Sequence, residues 1–386
     1  MYVHFPWCLK KCPYCDFLSV ASPREHIPHQ GYADAVLREL GARLPLLPSD
    51  YRLETIFFGG GTPSLWHSRE LGRVLRGVLE AFDGRRALGA ELEVTVECNP
   101  TSLDLEKARE LYAQGVNRIS LGVQGLDADR LQFLGRLHDP RGGLDAAQAA
   151  LASPVPRVSV DFIFGVSGQT AEQAAAEAQT LADLGTTHVS AYALTIEPGT
   201  EFGARAKKGR LPLLEEAQVA DSFLAVDRAL TGAGFDHYEI SNFARDGQVS
   251  RHNLGYWQGR DYLGLGTGAW GTVTLPSGRV RYRNSPSPER YQALEFTSPF
   301  ASDCAVLEPL DPETSLRERI MLGLRLAEGF DLYGAAAELG VEALPTERQR
   351  ALEKLERRGR IERRGSRLVL PKSQWLLADG IIAELL

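Results

Sequence analysis

Cysteine is scarce in this chain: five in 386 residues. That scarcity excludes a fold stapled by disulfides, and with no apolar leader ahead of Met-Tyr-Val-His it points to a reducing compartment. Long hydrophobic runs are missing too. No stretch approaches the roughly 20 apolar residues of a membrane-spanning helix. Positive charge is in deficit, with 43 Lys and Arg against 50 Asp and Glu, a net charge of −7. This argues against whole-surface attraction to nucleic acid or anionic lipid. Repeats and low-complexity tracts do not stand out. A cytoplasmic globular protein of two or three domains is expected, with apolar content of 44% and charged content of 24% in the ordinary range.

Short β-rich runs alternate with helical patterns. Strand candidates are Tyr2–Phe5, Glu54–Phe58, Leu92–Glu97, Val116–Leu121, Arg157–Ile163 and Thr187–Leu194. Between them Tyr32–Leu44, Arg69–Phe82, Leu103–Ala113, Ala171–Leu184 and Glu215–Leu230 carry apolar residues at three- and four-residue spacing. Thr101-Ser-Leu-Asp104 reads as a capping box. Six βα steps predict parallel strands with crossover helices, in an open partial barrel or a doubly wound sheet. Chemistry should then gather at the C-terminal ends of the strands. Beyond residue 235 Gly, Trp and Tyr become frequent, and Trp270–Leu275 with Arg279–Tyr282 reads as a hairpin. Residues 298–312, with three prolines, read as a linker. Helices at Thr314–Ala327 and Arg348–Arg358, followed by a hairpin of Arg360–Glu362 and Leu368–Leu370, suggest a winged-helix-like domain.

Three of the five cysteines fall within eight residues: Cys8-Leu-Lys-Lys-Cys12-Pro-Tyr-Cys15. Three thiolates on one tight loop can hold three irons of a four-iron cluster and leave the fourth open; a fully ligated cluster takes four cysteines. No fourth follows, since Asp16 and Phe17 come next. A zinc site completed by His4 is the alternative. Cys98 and Cys304 are expected to be small buried residues. Directly after a strand comes Phe57-Phe58-Gly59-Gly60-Gly61-Thr62-Pro63, whose glycines expose backbone N–H and C=O groups to a ligand. Polar residues also fall at predicted strand ends: Glu97, Gln124 and Asp161.

The cysteine loop and the glycine run together resemble the radical S-adenosylmethionine (SAM) superfamily. That resemblance implies an α/β fold, a partial (βα)6 TIM-like barrel, and a [4Fe-4S] cluster on Cys8, Cys12 and Cys15 with SAM on the open iron. Tyr14 matches the aromatic position beside adenine, loop packing being its alternative. Tyr-Val-His-Phe-Pro-Trp-Cys, Phe-Gly-Gly-Gly-Thr-Pro-Ser, Gly-Val-Gln, Phe-Leu-Gly-Arg-Leu-His and Asp-Phe-Ile-Phe-Gly resemble the oxygen-independent coproporphyrinogen III oxidase family over nearly the whole chain. Carried over, Tyr2, Gly60, Gly61, Thr62 and Glu97 would touch SAM; Gln124, Arg136 and Asp161 match a second SAM site. Two departures turn the reading within that family. The decarboxylating oxidase carries a fourth cysteine where Phe17 stands, and an extension ahead of the cysteine loop that this sequence does not show. Both point to the HemW-type heme chaperones.

His252-Asn253-Leu254-Gly255-Tyr256-Trp257 matches the His-Asn-x-x-Tyr-Trp motif associated with heme in those chaperones. Imidazole is a common axial ligand to heme iron, and Tyr256 and Trp257 offer flat faces for the porphyrin. On a helix His252 and Tyr256 share a face, as do Asn253 and Trp257. The alternative is a satisfied structural histidine in an aromatic corner. Thr346–Leu370 carries nine Lys or Arg and four Glu, a net +5. A solvated helix, or docking to an acidic partner, is preferred there over a nucleic-acid face.

The resemblance therefore implies a heme chaperone that holds heme, covalently or not, and passes it to an acceptor hemoprotein such as a respiratory-chain enzyme, with an outside electron donor for the cluster. Coproporphyrinogen III decarboxylation and an RNA-acting radical SAM enzyme are the alternatives. The expected layout is a barrel over 1–235, an extension over 236–297 with the heme motif and hairpin, a linker over 298–312 and the small α+β domain over 313–386.

Overall fold

The computed structural model describes residues 1–85, 91–297, 300 and 304–386. Six parallel strands form its centre: β1 (Tyr2–Phe5), β2 (Thr55–Gly60), β3 (Glu93–Cys98), β4 (Arg118–Gln124), β5 (Arg157–Phe164) and β6 (His188–Ala193). Each is hydrogen-bonded to the next in chain order. The crossovers are α1 (His29–Arg43), α2 (Ser68–Ala81), α3 (Leu105–Ala113), α4 (Pro140–Leu151) and α5 (Ala171–Asp183). After β6 come α6 (Glu201–Lys207) and α7 (Glu216–Gly232). Antiparallel β7 (Asp236–Glu239) and β8 (Asn242–Ala244) extend one edge; β9 (Gly264–Leu265) runs parallel to β1 at the other. The two edge strands, β7 and β9, lie at opposite ends of the nine-stranded order, so the barrel is open among the described residues.

The strands alternate strictly. Val3, Ile56, Phe58, Val94, Val96, Ile119, Leu121, Val158, Val160 and Val189 point outward into the layer of helices and are fully or almost fully buried. Each such side chain contributes about 1.5–3 kcal/mol by leaving water. The other set, Thr95, Arg118, Ser120, Ser159, His188 and Ser190, is polar and also buried. A parallel sheet covered on both faces usually reads as continuous apolar residues; here the inner face is polar because it lines a lumen.

Two local expectations change. The helix expected from Leu103 begins at Leu105, capped by Asp104, which accepts from Lys107 N at 2.7 Å. Thr101 belongs instead to a single 3-10 turn, where the Asn99 side chain accepts from Thr101 N, so Thr101-Ser-Leu-Asp104 is not a capping box. Capping boxes lie instead at Thr170 and Gln173, opening α5, and at Glu215 and Gln218, opening α7. The linker expected over 298–312 contains a strand. The hairpin β10 (Trp270–Leu275) and β11 (Gly278–Asn284) takes Ala305–Pro309 as a third strand, β12. Apolar Ala305–Leu307 follows the register of β11, and two of the three prolines sit where proline is tolerated: Pro309 at the strand's end and Pro312 in the first turn of the next helix. Residues 298, 299 and 301–303 of that stretch lie outside the described residues.

The C-terminal unit has its own core of Leu316, Ile320, Leu352, Leu355, Trp375 and Ile381, among others. Helices α8 (Arg251–Trp257), in the extension, and α9 (Pro312–Gly323), α10 (Leu332–Leu339) and α11 (Thr346–Arg357) precede the wing. Its sheet joins β13 (Phe330–Asp331), β14 (Glu362–Arg364) and β15 (Arg367–Val369), with β15 in the middle. The unit is tied to the barrel extension by Ala327 N donating to Tyr238 O at 3.0 Å and by the Glu239–Leu326 bridge. No helix among the described residues is long and apolar enough to cross a membrane.

Candidate functional site at the barrel mouth, and a second cavity at its floor

The loop after β1 carries Cys8, Cys12 and Cys15, all free thiols and all half-buried. A turn closes it, with Cys15 N donating to Cys12 O at 3.1 Å. Side chains from two other elements reach the sulfurs. Thr62 Oγ1 donates to Cys8 Sγ at 3.4 Å, and Arg136 Nη1 to Cys12 Sγ at 3.7 Å. Burial pushes the Cys8 thiol up and the Cys15 thiol up to about 11. Cys8 and Cys15 hold their protons until a metal displaces them, which is how thiolate ligation couples to pH. His4 does not complete a zinc set. Its Nδ1 bonds the Tyr2 hydroxyl at 2.9 Å and its Nε2 the Leu18 carbonyl at 2.8 Å. Among the described residues no three His, Cys, Asp or Glu side chains enclose a single metal ion. Three thiols spread around one loop suit a multi-iron cluster, whose ligands sit at separate corners, better than one zinc.

Beside this loop the glycine turn ends β2. Gly60 has φ +111°, a conformation side chains rarely adopt, and a Cβ there would stand 2.4 Å from the His4 ring. A Cβ on Gly61 would meet the Pro6 backbone at 2.7 Å. Only glycine fits, and the turn presses its backbone against the start of the cysteine loop. Gly60 N donates to Glu97 Oε2 at 3.0 Å. Burial, with Asp161 nearby, pushes the Glu97 carboxyl up to about 8. A cationic group arriving beside Glu97 would therefore bind with loss of a proton. Burial also raises Asp161, which accepts from Ser120 Oγ at 3.1 Å.

Gln124 closes β4 with φ 67°, and the register between β4 and β5 slips between Gly122 and Gln124. The irregularity re-aims the strand's end, as bulges near functional sites do. Gln124 Oε1 and Arg136 Nε are buried without hydrogen-bond partners, while Arg136 Nη2 donates to Gly122 O at 2.7 Å. Tyr14 packs with Leu134, Ile163 and Phe202, and burial raises its phenol. Thus Cys8, Cys12, Tyr14, Cys15, Gly60, Gly61, Thr62, Glu97, Gln124, Arg136 and Asp161 are brought together around one mouth. Most are half-buried, as residues lining a concavity should be.

Tyr2 is placed differently. It begins β1, its ring stacks on Phe57 (6.2 Å between centroids) and faces His252 (6.4 Å), and its hydroxyl is engaged by His4. It belongs to an aromatic column: Tyr256, His252, Phe57, Tyr2 and His4 follow one another from the N-terminal ends of the strands up to the glycine turn. The lumen residues Arg118, Ser159 and His188 escaped the sequence reading. Their signal was the alternation of polar residues with Val, Ile and Leu in runs such as Val-Ser-Val-Asp.

The His-Asn-x-x-Tyr-Trp motif forms α8 and closes the barrel from below. Ser250 caps it, and Glu93, the first residue of β3, accepts from Arg251 N at 3.2 Å and His252 N at 3.0 Å. His252 and Tyr256 do share a face. They line a cavity of about 340 Å³ together with Leu47, Tyr51, Leu53 and Tyr262. The His252 ring is already engaged. Nδ1 bonds Thr55 Oγ1 at 2.8 Å, Nε2 bonds the Tyr256 hydroxyl at 2.9 Å, and the ring stacks on Phe57 at 4.8 Å. Burial holds it neutral, so both nitrogens are already paired. Asn253 is half-buried, its backbone N held by Ser250 Oγ. Trp257 faces the C-terminal unit, with the Arg325 guanidinium 5.9 Å from its ring.

Of the nine cations in 346–370, five have carboxylate partners, while Arg350, Arg357, Arg358 and Arg360 have none among the described residues. Arg348 is buried on Glu313, Lys354 reaches Glu384 at 2.5 Å, and Arg363, Arg364 and Arg367 pair with Glu356, Glu362 and Glu328. This is the solvated, pair-laced arrangement.

Comparison with known proteins gives the same frame. The Radical SAM superfamily matches residues 2–181, and the HemN C-terminal domain matches 310–377. The heme chaperone HemW of Escherichia coli is 38% identical over 72% of this chain and 71% of its own length. The heme chaperone HemW of Mycobacterium tuberculosis is 34% identical over 100% of this chain and 94% of its own. A mitochondrial radical S-adenosyl methionine domain-containing protein 1 from Bos taurus is 35% identical over 88% of this chain and 79% of its own. Among solved structures, coproporphyrinogen III oxidase from Escherichia coli superposes with a TM-score of 0.78 at 21% identity, covering 100% of this chain and 89% of the other. That likeness shows the fold.

Proposed function

The chain belongs to the radical SAM superfamily and, within it, to the family of the HemW heme chaperones, and from that membership we propose that it carries heme at the barrel floor and delivers it to an acceptor hemoprotein. Membership also implies a [4Fe-4S] cluster and SAM. We assign the cluster to Cys8, Cys12 and Cys15. When bound, the cluster supplies a low-potential electron at its open iron. The chain's own residues hold and orient the SAM. Gly60 and Gly61 let backbone approach closely, Glu97 takes a cationic amino group, and Thr62 and Arg136 hydrogen-bond the ligating sulfurs. Gln124, with its unpartnered Oε1, and Asp161 contact SAM from the strand ends, and Tyr14 flanks the adenine.

The observation that carries the heme assignment is the cavity under α8. It presents the faces of Tyr51, Tyr256 and Tyr262 over an apolar floor of Leu47, Leu53 and Leu263. Arg52 stands at its rim, exposed and held, among the described residues, only by the Ser49 and Tyr51 carbonyls at 3.2 Å, free to meet a propionate. Trp257, with the Arg325 guanidinium 5.9 Å from its ring, sets α8 against the C-terminal unit. Binding through His252 requires Tyr256 to swing off Nε2. The assay is a heme titration of the full chain read by absorption spectroscopy, with saturation near one heme per chain expected. A protein that takes up no heme sinks the chaperone reading. So does a reconstituted protein that, with SAM and reductant, converts coproporphyrinogen III to its vinyl product at an ordinary turnover rate.

A further inference from the structure

We propose that a basic collar beside the cysteine loop is the docking surface for a small acidic protein that carries one electron to the cluster. The inference rests on the cluster assignment above. The chain is acidic overall, at −7, yet the surface around its cysteine loop is the reverse. Lys10 and Lys11 are exposed on the loop itself, between Cys8 and Cys12. Arg205, Lys207, Lys208 and Arg210 are exposed on α6 and the turn that follows it. The two segments are bound to one another. Phe202 N donates to Pro13 O at 2.9 Å, and Phe202 packs on Phe133 at 4.8 Å. Between them runs an open groove of about 500 Å³, lined by Lys10, Lys11, Pro13, Phe133, Glu201 and Arg205.

The helix dipole accounts for part of this, since cations at a helix C-terminus are favoured. It accounts for Arg205 and Lys207 on α6. It does not account for Lys10 and Lys11 on a separate loop, nor for Arg210 three residues past the helix. Of the six cations only Arg205 has a carboxylate partner among the described residues, Glu201 at 2.5 Å. Asp129 and Glu201 line the same groove, Asp16 follows the cysteine loop, and exposed Glu215 and Glu216 lie five and six residues beyond Arg210. Large apolar groups are exposed in the same place: Phe17, whose carbonyl accepts from Lys11 Nζ at 3.4 Å, is 57% exposed, and Leu137, next to Arg136, is 55% exposed. Exposed apolar groups beside clustered, mostly unpaired cations suit a transient redox encounter, which is small and steered by charge. The partner is acidic because the collar is basic.

The transfer balances simply. One electron leaves the carrier's reduced centre, oxidising it, and enters the cluster, reducing it by one; no bond forms or breaks and no proton moves.

The test uses the cluster-loaded full chain and the variant K207E/K208E/R210E, whose changes lie away from the thiols and the glycine turn. The probe is a reduced plant-type [2Fe–2S] ferredoxin, near −400 mV, mixed by stopped flow. Photoreduction with neutral 5-deazariboflavin is the control. At low ionic strength the variant should be reduced by ferredoxin at least tenfold more slowly, and the gap should close at high salt. Oxidised ferredoxin should also bind the variant at least tenfold more weakly. Equal ferredoxin rates in two proteins that both photoreduce normally overturn the collar alone. A preparation that yields no reducible cluster under the neutral reductant overturns the cluster assignment and the collar with it.

Discussion

The two ends of the barrel are finished in different ways. At the C-terminal ends of the strands, polar atoms are buried without partners: Gln124 Oε1 and Arg136 Nε. Glycines stand there where no side chain fits, and the Gln124 backbone is held at positive φ. At the N-terminal ends, His252 is hydrogen-bonded at both nitrogens and Glu93 accepts from two backbone N–H groups of α8. Buried polar atoms without partners are costly, so a fold that keeps them is shaped around something that pairs them. The mouth is preorganised for a ligand. At the floor Arg251 Nε and Trp257 Nε1 on α8 lack hydrogen-bond partners, but His252 itself is satisfied as it stands, and the Tyr256–His252 bond must break for its Nε2 to take a ligand. The six residues of β2, Thr55 to Gly60, separate the two ends by roughly 16 Å, and the aromatic column through Tyr2 fills the space.

The largest effect that separates the ends is expected from Gly60→Ala. The added methyl meets the His4 ring at 2.4 Å in a backbone conformation hostile to side chains. A loss of about 2 kcal/mol in stability is expected, with SAM binding to the cluster-loaded protein falling at least tenfold by calorimetry. Heme uptake should be little changed; if heme and SAM binding fall together, the ends are not separate.

Next comes Glu97→Gln. The carboxyl is pushed up from the usual 4.5 to about 8, first by burial and then by Asp161. The folded protein therefore keeps a proton that the unfolded chain has lost. Its stability should fall as pH rises from about 4.5 to 8 and level off above. The variant lacks that group, so its melting temperature should decline less between pH 6 and 8. Superimposable pH profiles for iron-free wild type and variant contradict the assignment.

Tyr256→Phe is the smallest change and acts only at the floor. It frees His252 Nε2 at the cost of one hydrogen bond, worth about 1 kcal/mol. Heme should bind roughly fivefold more tightly, with SAM affinity unmoved. Weaker heme binding would mean that the Tyr256 hydroxyl, not the His252 nitrogen, meets the heme.

The mouth was far more legible in sequence than the floor. Cys8, Cys12 and Cys15, Gly60 and Gly61 announce themselves by spacing and by composition, because three thiols on one loop and three consecutive glycines have few other uses. Glu97, Gln124 and Asp161 were reachable because strand ends collect chemistry in parallel α/β folds. His252 was found by motif, but its pairing with Thr55 joins residues 197 apart in sequence, and no local pattern encodes that. Tyr2 was matched to SAM by position, and its ring lies in the aromatic column beside Gly59 and Glu97. The strand at Ala305–Pro309 was hidden by its prolines; Pro309 ends the strand and Pro312 opens a helix, so neither breaks the ladder. Arg118 and His188 were overlooked because a polar residue in every second position of a strand reads as a solvated face, and the lumen is its buried counterpart.

The central claim is that heme belongs to the floor and the cluster to the mouth. Gly255 lines the floor cavity, and the nearest atom to an added Cβ is the Arg260 side chain at 3.9 Å. Gly255→Phe therefore fills the cavity without breaking a hydrogen bond. A heme titration should compare wild type, Gly255→Phe, and the triple variant Cys8→Ser, Cys12→Ser, Cys15→Ser. Gly255→Phe is predicted to lose heme at least tenfold while keeping its iron and sulfide, and the triple variant to lose iron and sulfide while keeping heme. Heme lost from the triple variant and retained by Gly255→Phe would contradict the account.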